Sequence, residues 1–177
     1  MKIAIISDTH NNLANLEKFL NSAEKEKIKV LIHCGDVCNA QTLSFIEEKF
    51  AGDIYLSLGN CDLKDDLLNA KKKTNIFENI GKIKIDEIKI GFCHQFNFNQ
   101  EKSLLDNFNF FFFGHYHFPS LKKIKNCFLV NPGNLSGIFY KPTFAILETK
   151  KKKLKLKILE KIKTEPAFNK IQNLTSS

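Results

Sequence analysis

The segment Asn109-Phe110-Phe111-Phe112-Phe113-Gly114-His115-Tyr116-His117 decides the fold of this chain. Its apolar run predicts a buried β-strand, and the glycine marks the point at which that strand ends. Because residues two apart in an extended chain share a face, His115 and His117 can reach one point just beyond the strand. Two such imidazoles suit a metal site, although a surface loop with two histidines would have the same sequence.

Earlier predicted strands also end at oxygen or nitrogen ligands. With the two histidines these form a set of seven: Asp8, His10, Asp36, Asn60, His94, His115 and His117. Each residue alone also suits a turn or a helix cap, but seven at strand ends in one chain point to a metal site. The set is too rich in oxygen for a thiolate-type site and too rich in nitrogen for calcium or magnesium, so it suits Mn, Fe, Zn, Co or Ni. Seven ligands are too many for one ion with an open position, and they suit two ions that share a carboxylate.

The apolar pattern of the first half predicts strands that alternate with helices. Buried strands are expected at residues 2–7, 29–33 and 54–58. The first helix is capped by Asn11 or Asn12, and a second lies around residues 43–50. This alternation favours a parallel sheet whose ligand-bearing loops share its carboxyl edge.

The pattern of the second half changes to alternating polar and apolar residues. Residues 82–86 and 88–92 predict antiparallel strands around a tight turn. The remaining elements are short helical segments at 63–68 and 101–107 and strands at 110–113, 127–130, 143–148 and 154–159. We therefore predict an α/β sandwich of two sheets.

Length and composition indicate one domain, expected at residues 1–160, with a loosely docked or frayed tail at residues 161–177. The first residues do not suit a signal peptide, and no apolar run reaches the roughly 18 residues of a membrane span. The five cysteines include no CxxC pair, which fits a reducing compartment. A cytoplasmic protein without a membrane partner is expected, and the sequence leaves open whether it forms a homo-oligomer.

The formal net charge of +8 results from 27 lysines against 19 acidic residues, and the chain has no arginine. Arginine is the usual residue for bidentate recognition of phosphate or guanine, so its absence argues against nucleic acid as a sequence-specific partner. The charge instead favours the attraction of small anionic substrates.

Five blocks of the chain, in order, resemble those of the calcineurin-like metallophosphoesterases: Asp8-x-His10, Gly35-Asp36, Gly59-Asn60, His94 and Gly114-His115-x-His117. The small size, Gly59-Asn60-Cys61-Asp62 and Asn131-Pro132-Gly133 resemble the YfcE-type phosphodiesterases within that superfamily. The resemblance implies a four-layer αββα sandwich of two mixed sheets. It also implies that Asp8, His10 and His117 hold one metal, that Asn60, His94 and His115 hold a second, and that Asp36 bridges them.

The same resemblance implies a binuclear, metal-dependent phosphodiesterase with a small phosphodiester substrate. The reaction would be in-line attack by a hydroxide that bridges two divalent transition metals, with Asp36, Asn60 and His94 in catalytic positions. Manganese is the favoured metal, and Ni, Fe, Zn and Co are the alternatives. Competing interpretations are a non-catalytic metal-binding scaffold or protein-interaction module of the same fold, and a phosphomonoesterase or nuclease of the superfamily.

Two positions depart from the family pattern. Many members carry a histidine after the metal-binding asparagine, where this chain has Cys61, and a neutral thiol with a pKa of about 8.5 is a poor general acid. Substrates with acidic leaving groups should therefore be favoured. Gln95-Phe96 stands where relatives often have glycine and another histidine after His94, which leaves the substrate side of the second metal less basic and more apolar. The residues assigned to the substrate side or to support of the ligands are Cys61, Asp62, Gln95 and Tyr116.

Overall fold

The computed structural model describes residues 1–98 and 102–161. In chain order the strands are β1 (Lys2–Ile6), β2 (Val30–His33), β3 (Asp53–Ser57), β4 (Asn75–Phe77), β5 (Gly81–Ile85), β6 (Ile88–Cys93), β7 (Phe110–Phe113), β8 (Ser120–Ile124), β9 (Cys127–Asn131), β10 (Thr143–Glu148) and β11 (Lys153–Ile158). The α-helices are α1 (Leu13–Lys25), α2 (Ala40–Lys49) and α3 (Lys64–Ala70), and 3-10 helices span Lys102–Asn107, Thr149–Lys151 and Leu159–Lys161.

The strands form two mixed sheets, as predicted. The first sheet has the order β11-β10-β1-β2-β3-β4, in which β1 to β4 run parallel and β10 and β11 pair antiparallel. The second has the order β5-β6-β7-β9-β8. Its hairpin β5-β6 is antiparallel as expected, but β6, β7 and β9 run parallel to one another. The second sheet therefore also presents parallel strand ends on one edge.

Three layers of apolar side chains hold these sheets in place. Between the sheets, β-branched residues of β1 and β2 pack against the phenylalanines of β6 and β7, including Ile5, Ile32, Phe92 and Phe112. Helices α1 and α2 cover the outer face of the first sheet. Within the described residues, the 3-10 helix Lys102–Asn107 and its neighbours cover the outer face of the second sheet, where Leu105 and Phe108 pack around Phe111. This arrangement confirms the predicted αββα sandwich.

Several elements differ from the sequence prediction. Strands β4 and β8 were not predicted. The predicted helix at residues 101–107 begins outside the described residues and continues as a 3-10 helix. The predicted tail at residues 161–177, apart from its first residue, also lies outside them. In the part of the chain that the structure describes, none of the helices is both long and apolar enough to span a membrane.

Candidate metal centre

The seven predicted ligands all lie in loops at the carboxyl edge of the two sheets. Asp8 and His10 follow β1, Asp36 follows β2 and Asn60 follows β3, while the second sheet contributes His94 after β6 and His115 and His117 after β7. Backbone hydrogen bonds tie the loops together. The N–H of Asp8 donates to the Gly35 carbonyl at 3.0 Å, and the N–H of Gly114 donates to the His94 carbonyl at 2.8 Å.

One group of side chains joins the β1 loop to the β7 loop, and we call Asp8, His10 and His117 the first group. The Nε2 atoms of His10 and His117 are 3.2 Å apart. His117 Nε2 lies 3.4 Å and His10 Nε2 lies 3.9 Å from Oδ1 of Asp8. One ligand atom from each of the three residues therefore faces a common point.

A second group contains Asn60, His94 and His115. The amide oxygen of Asn60 lies 2.9 Å from His94 Nε2 and 3.0 Å from His115 Nδ1. The two ring nitrogens are 3.3 Å apart. These contacts join the first sheet to the second through one amide and two imidazoles.

Asp36 lies between the two groups and is buried. Its Oδ2 is 3.6 Å from His10 Nε2 of the first group and 3.4 Å from His94 Nε2 of the second. Its Oδ1 faces away and accepts a hydrogen bond from the N–H of Cys61 at 2.8 Å. A single carboxylate thus contacts both groups.

The tautomer of His94 decides what this arrangement can bind. His94 Nδ1 lies 2.8 Å from the carbonyl oxygen of Cys34, which can only accept a hydrogen bond. Nδ1 must therefore carry the proton, and in the neutral ring Nε2 has a free lone pair. That lone pair faces the oxygens of Asn60 and Asp36, an arrangement of acceptors that a cation would stabilise. The donor set fits divalent transition metals.

Burial changes the titration of this centre. Desolvation raises the pKa of Asp8 from 3.8 to about 7, although hydrogen bonds from Ser7 and from the His115 backbone oppose the shift. Burial also lowers the pKa of His10 and of His115, so both rings are neutral near pH 7 and can offer lone pairs. A bound cation would lower the pKa of Asp8 again, because it stabilises the carboxylate.

The backbone at the centre is strained. Asp8, Asp36 and His115 have φ angles of 53°, 61° and 68°, and His10 and His117 are also in the left-handed region at 43° and 57°. Non-glycine residues adopt such angles infrequently, and they cluster at functional sites where the surrounding structure imposes them. Five of the seven predicted ligands therefore share an unfavourable conformation that aims their side chains inward.

The four residues assigned to the substrate side or to support occupy different places. Asp62 lies behind the ligands, where its carboxylate accepts hydrogen bonds from the N–H groups of Asp36 at 3.0 Å, Gly59 at 2.7 Å and Cys38 at 2.6 Å. It therefore fixes two ligand loops relative to each other. Cys61, Gln95 and Tyr116 are exposed beside the ligands. The Sγ of Cys61 lies within 4.8 Å of ligand atoms of His10 and Asp36.

Some supporting residues were missed from sequence. The amide of Asn131 donates to the Gly114 carbonyl at 2.8 Å, and the amide of Asn134 donates to the His117 carbonyl at 3.1 Å. The segment Asn131-Pro132-Gly133 carried part of the family resemblance, but neither Asn131 nor Asn134 was predicted to support the ligands. The two asparagines at the end of a strand were the available signal, because such amides often bond to neighbouring backbone.

The chain is similar in sequence and in fold to known phosphoesterases. The model of the calcineurin-like phosphoesterase superfamily domain matches residues 1–152. A protein described as phosphodiesterase MJ0936, from Methanocaldococcus jannaschii, is 30% identical over 175 residues, which cover 90% of this chain and all of that protein. A solved structure described as a novel archaeal phosphodiesterase has a TM-score of 0.80 at 26% identity, covering 89% of this chain and 99% of that one.

More distant structures share the fold. YfcE, a phosphoesterase from E. coli, has a TM-score of 0.66 at 18% identity and covers 90% of this chain and 100% of its own. Zinc-bound Vps29 from Entamoeba histolytica has a TM-score of 0.65 at 19% identity, with coverage of 88% and 90%. These similarities confirm the predicted fold.

Proposed function

Because this chain belongs to the calcineurin-like phosphoesterase superfamily, we propose that it is a phosphodiesterase that uses two divalent transition metals, with manganese favoured. The first group would hold one ion, the second group would hold the other, and Asp36 would bridge them. The observation that carries the proposal is the position of Asp36 Oδ2, at 3.6 Å and 3.4 Å from imidazole nitrogens of the two groups. A single-metal site would not need a carboxylate in contact with both groups.

Two such ions would lower the pKa of a water molecule and polarise the phosphoryl oxygens of a bound diester. The chain's own part is to hold seven ligand side chains rigidly at one edge. Asp62 supports this by fixing the loops that carry Asp36 and Asn60. Preorganised groups of this kind need little rearrangement during the reaction, which lowers its barrier.

The site lacks a good proton donor for the leaving group at the position after Asn60. The residue after Asn60 is Cys61, a thiol where many members of the superfamily carry a histidine. A thiol, with an ordinary pKa of about 8.5, is a poorer proton donor to a departing alkoxide than an imidazolium. Diesters that release an acidic alcohol should therefore be the better substrates.

The proposal predicts metal-dependent hydrolysis of an aryl phosphodiester. Protein treated with a chelator should not hydrolyse bis(4-nitrophenyl) phosphate, and added Mn²⁺ should restore the activity at least about 100-fold, because the ions supply the charge stabilisation. The release of 4-nitrophenolate measures the rate, and 4-nitrophenyl phosphate serves as the monoester comparison. Full activity in chelator would refute the metal requirement, and preference for the monoester would refute the diester assignment.

A further inference from the structure

A large cavity lies next to the second group. Its volume is about 560 Å³, and its wall includes Gln95 and Tyr116, which directly follow the predicted ligands His94 and His115. The ring of Tyr116 is 5.2 Å from that of His115, measured between centroids. The cavity therefore borders the second group on the side where Gln95 and Tyr116 lie.

Five of the twelve residues in the wall of this cavity are aromatic, and two more are leucines. The wall contains Phe96, Phe98, Phe113, Tyr116, Phe118 and Leu121. Three of these, Tyr116, Phe118 and Leu121, are more than half exposed, at 52%, 54% and 52%. Apolar side chains that remain exposed in a concave wall are typical of small-molecule sites, and volumes of roughly 300–1,000 Å³ are usual for them.

The wall also carries five polar residues, Gln95, Asn97, Ser120, Lys122 and Asn131. None of the residues that the structure places in the wall is acidic, and the ammonium of Lys122 lies 5.0 Å from the centroid of the Phe98 ring. The amide of Asn131 is already bonded to the Gly114 carbonyl and to the Gly133 N–H. A planar aromatic group can pack edge-to-face or offset against such rings.

A second, more polar depression also borders the second group. This depression, of about 330 Å³, is lined by Asn60, Glu78 and His94 and shares Gln95 with the aromatic cavity. The two compartments meet at Gln95, so the two ester groups of one bound diester would face different surroundings.

On this basis we infer that the aromatic cavity binds an aromatic ester substituent of the substrate, such as a nucleobase-bearing or aryl group. The inference rests on the proposed phosphodiesterase function and adds the substrate class. Leu121 and Phe118 are then specificity-determining residues, because they lie in the cavity wall and outside the two ligand groups.

The test compares two diesters with the same leaving group, bis(4-nitrophenyl) phosphate and methyl 4-nitrophenyl phosphate. The ratio of their kcat/KM values reports binding of the group that stays on phosphorus, since the leaving group is constant. Leu121→Asn and Phe118→Ala should each lower this ratio about fivefold or more relative to the wild type, because each removes apolar contact with the retained ring. Leu156→Asn is the matched control, since Leu156 is 41% exposed on edge strand β11, and it should leave the ratio as it is.

A binding measurement separates the two proposals. Calorimetric titration with phenyl phosphate and methyl phosphate should show at least about fivefold tighter binding of the phenyl compound to the wild type and a loss of this preference in Leu121→Asn. If neither diester is hydrolysed but the phenyl preference is present, the cavity assignment stands and the proposed function fails. If hydrolysis occurs and both cavity variants keep the wild-type ratio, the cavity assignment is wrong and the proposed function stands.

Discussion

Replacing Asp36 with asparagine is expected to lower phosphodiesterase activity by about 10³-fold or more and to reduce metal binding at both groups. The substitution keeps the size of the side chain but removes the charge that two ions would share. Oδ2 of Asp36 is the atom that faces His10 and His94 together, so its loss cannot be confined to one group. Steady-state hydrolysis of bis(4-nitrophenyl) phosphate and elemental analysis of the same sample measure both effects.

The matched comparison is Asp8→Asn, because Asp8 is similarly buried and its carboxylate contacts imidazole nitrogens of the first group, meeting the second group through the backbone N–H of His115. It should cost less activity than Asp36→Asn and leave the second group able to bind its ion. An exposed carboxylate, Asp106, serves as the neutral control through Asp106→Asn. If Asp8→Asn proves clearly more damaging than Asp36→Asn, Asp36 does not bridge the two groups.

Gly59→Ala is expected to have the second largest effect, although Gly59 contributes no ligand atom. A Cβ at this position would lie 2.2 Å from Oδ1 and 2.5 Å from the backbone nitrogen of Asp36. The clash involves backbone, so Asp36 must move and carry Oδ2 away from both groups. Displacing a ligand's support typically costs about 10–100-fold in metal affinity or activity, and we expect the upper end of that range here.

A second glycine separates this effect from a loss of stability. A Cβ on Gly52 would lie 2.1 Å from the Lys29 carbonyl oxygen, a comparable clash at a position outside the ligand loops. In urea denaturation, both variants should have a free energy of unfolding about 1–3 kcal/mol lower than that of the wild type. Only Gly59→Ala should lower the activity and metal content of the folded fraction. Equal activity losses in the two variants would mean that the site argument for Gly59 is wrong.

Much of this centre could be predicted because its signals are local. Each predicted ligand follows an apolar run, and strand ends in two packed sheets meet at a shared edge. The structure brings all seven side chains together, and their binding of metal stays a prediction. The family assignment and the αββα fold were confirmed.

Strands β4 and β8 could not be predicted from local sequence, because they depend on contacts with residues distant in the chain. Strand β4 is only three residues long and pairs with β3, and the segment before it is held by Glu47, which accepts hydrogen bonds from the N–H groups of Lys72, Lys73 and Thr74. Strand β8 is largely exposed and rich in lysine, so its sequence lacks the alternation of a half-buried strand. Its pairing with β9 alone defines it.

The left-handed conformations of the ligands were also hidden. Asp and His adopt positive φ more often than most non-glycine residues, but still in a small minority of cases, so the adjacent sequence does not predict it at Asp8 or His115. The conformations follow from contacts between loops, including the hydrogen bond from the His115 N–H to Asp8 Oδ2 at 3.1 Å. Such contacts form only after the two sheets pack together.

Metal stoichiometry tests the central claim most directly. Chelator-treated protein should be reloaded with Mn²⁺ at pH 8, since burial raises the pKa of Asp8 to about 7 and its carboxylate must be deprotonated to bind a cation. Elemental analysis after removal of free metal should then give two ions per chain for the wild type, with hydrolysis of bis(4-nitrophenyl) phosphate rising as the second ion binds. One ion or none per chain, with full activity, would contradict a binuclear centre.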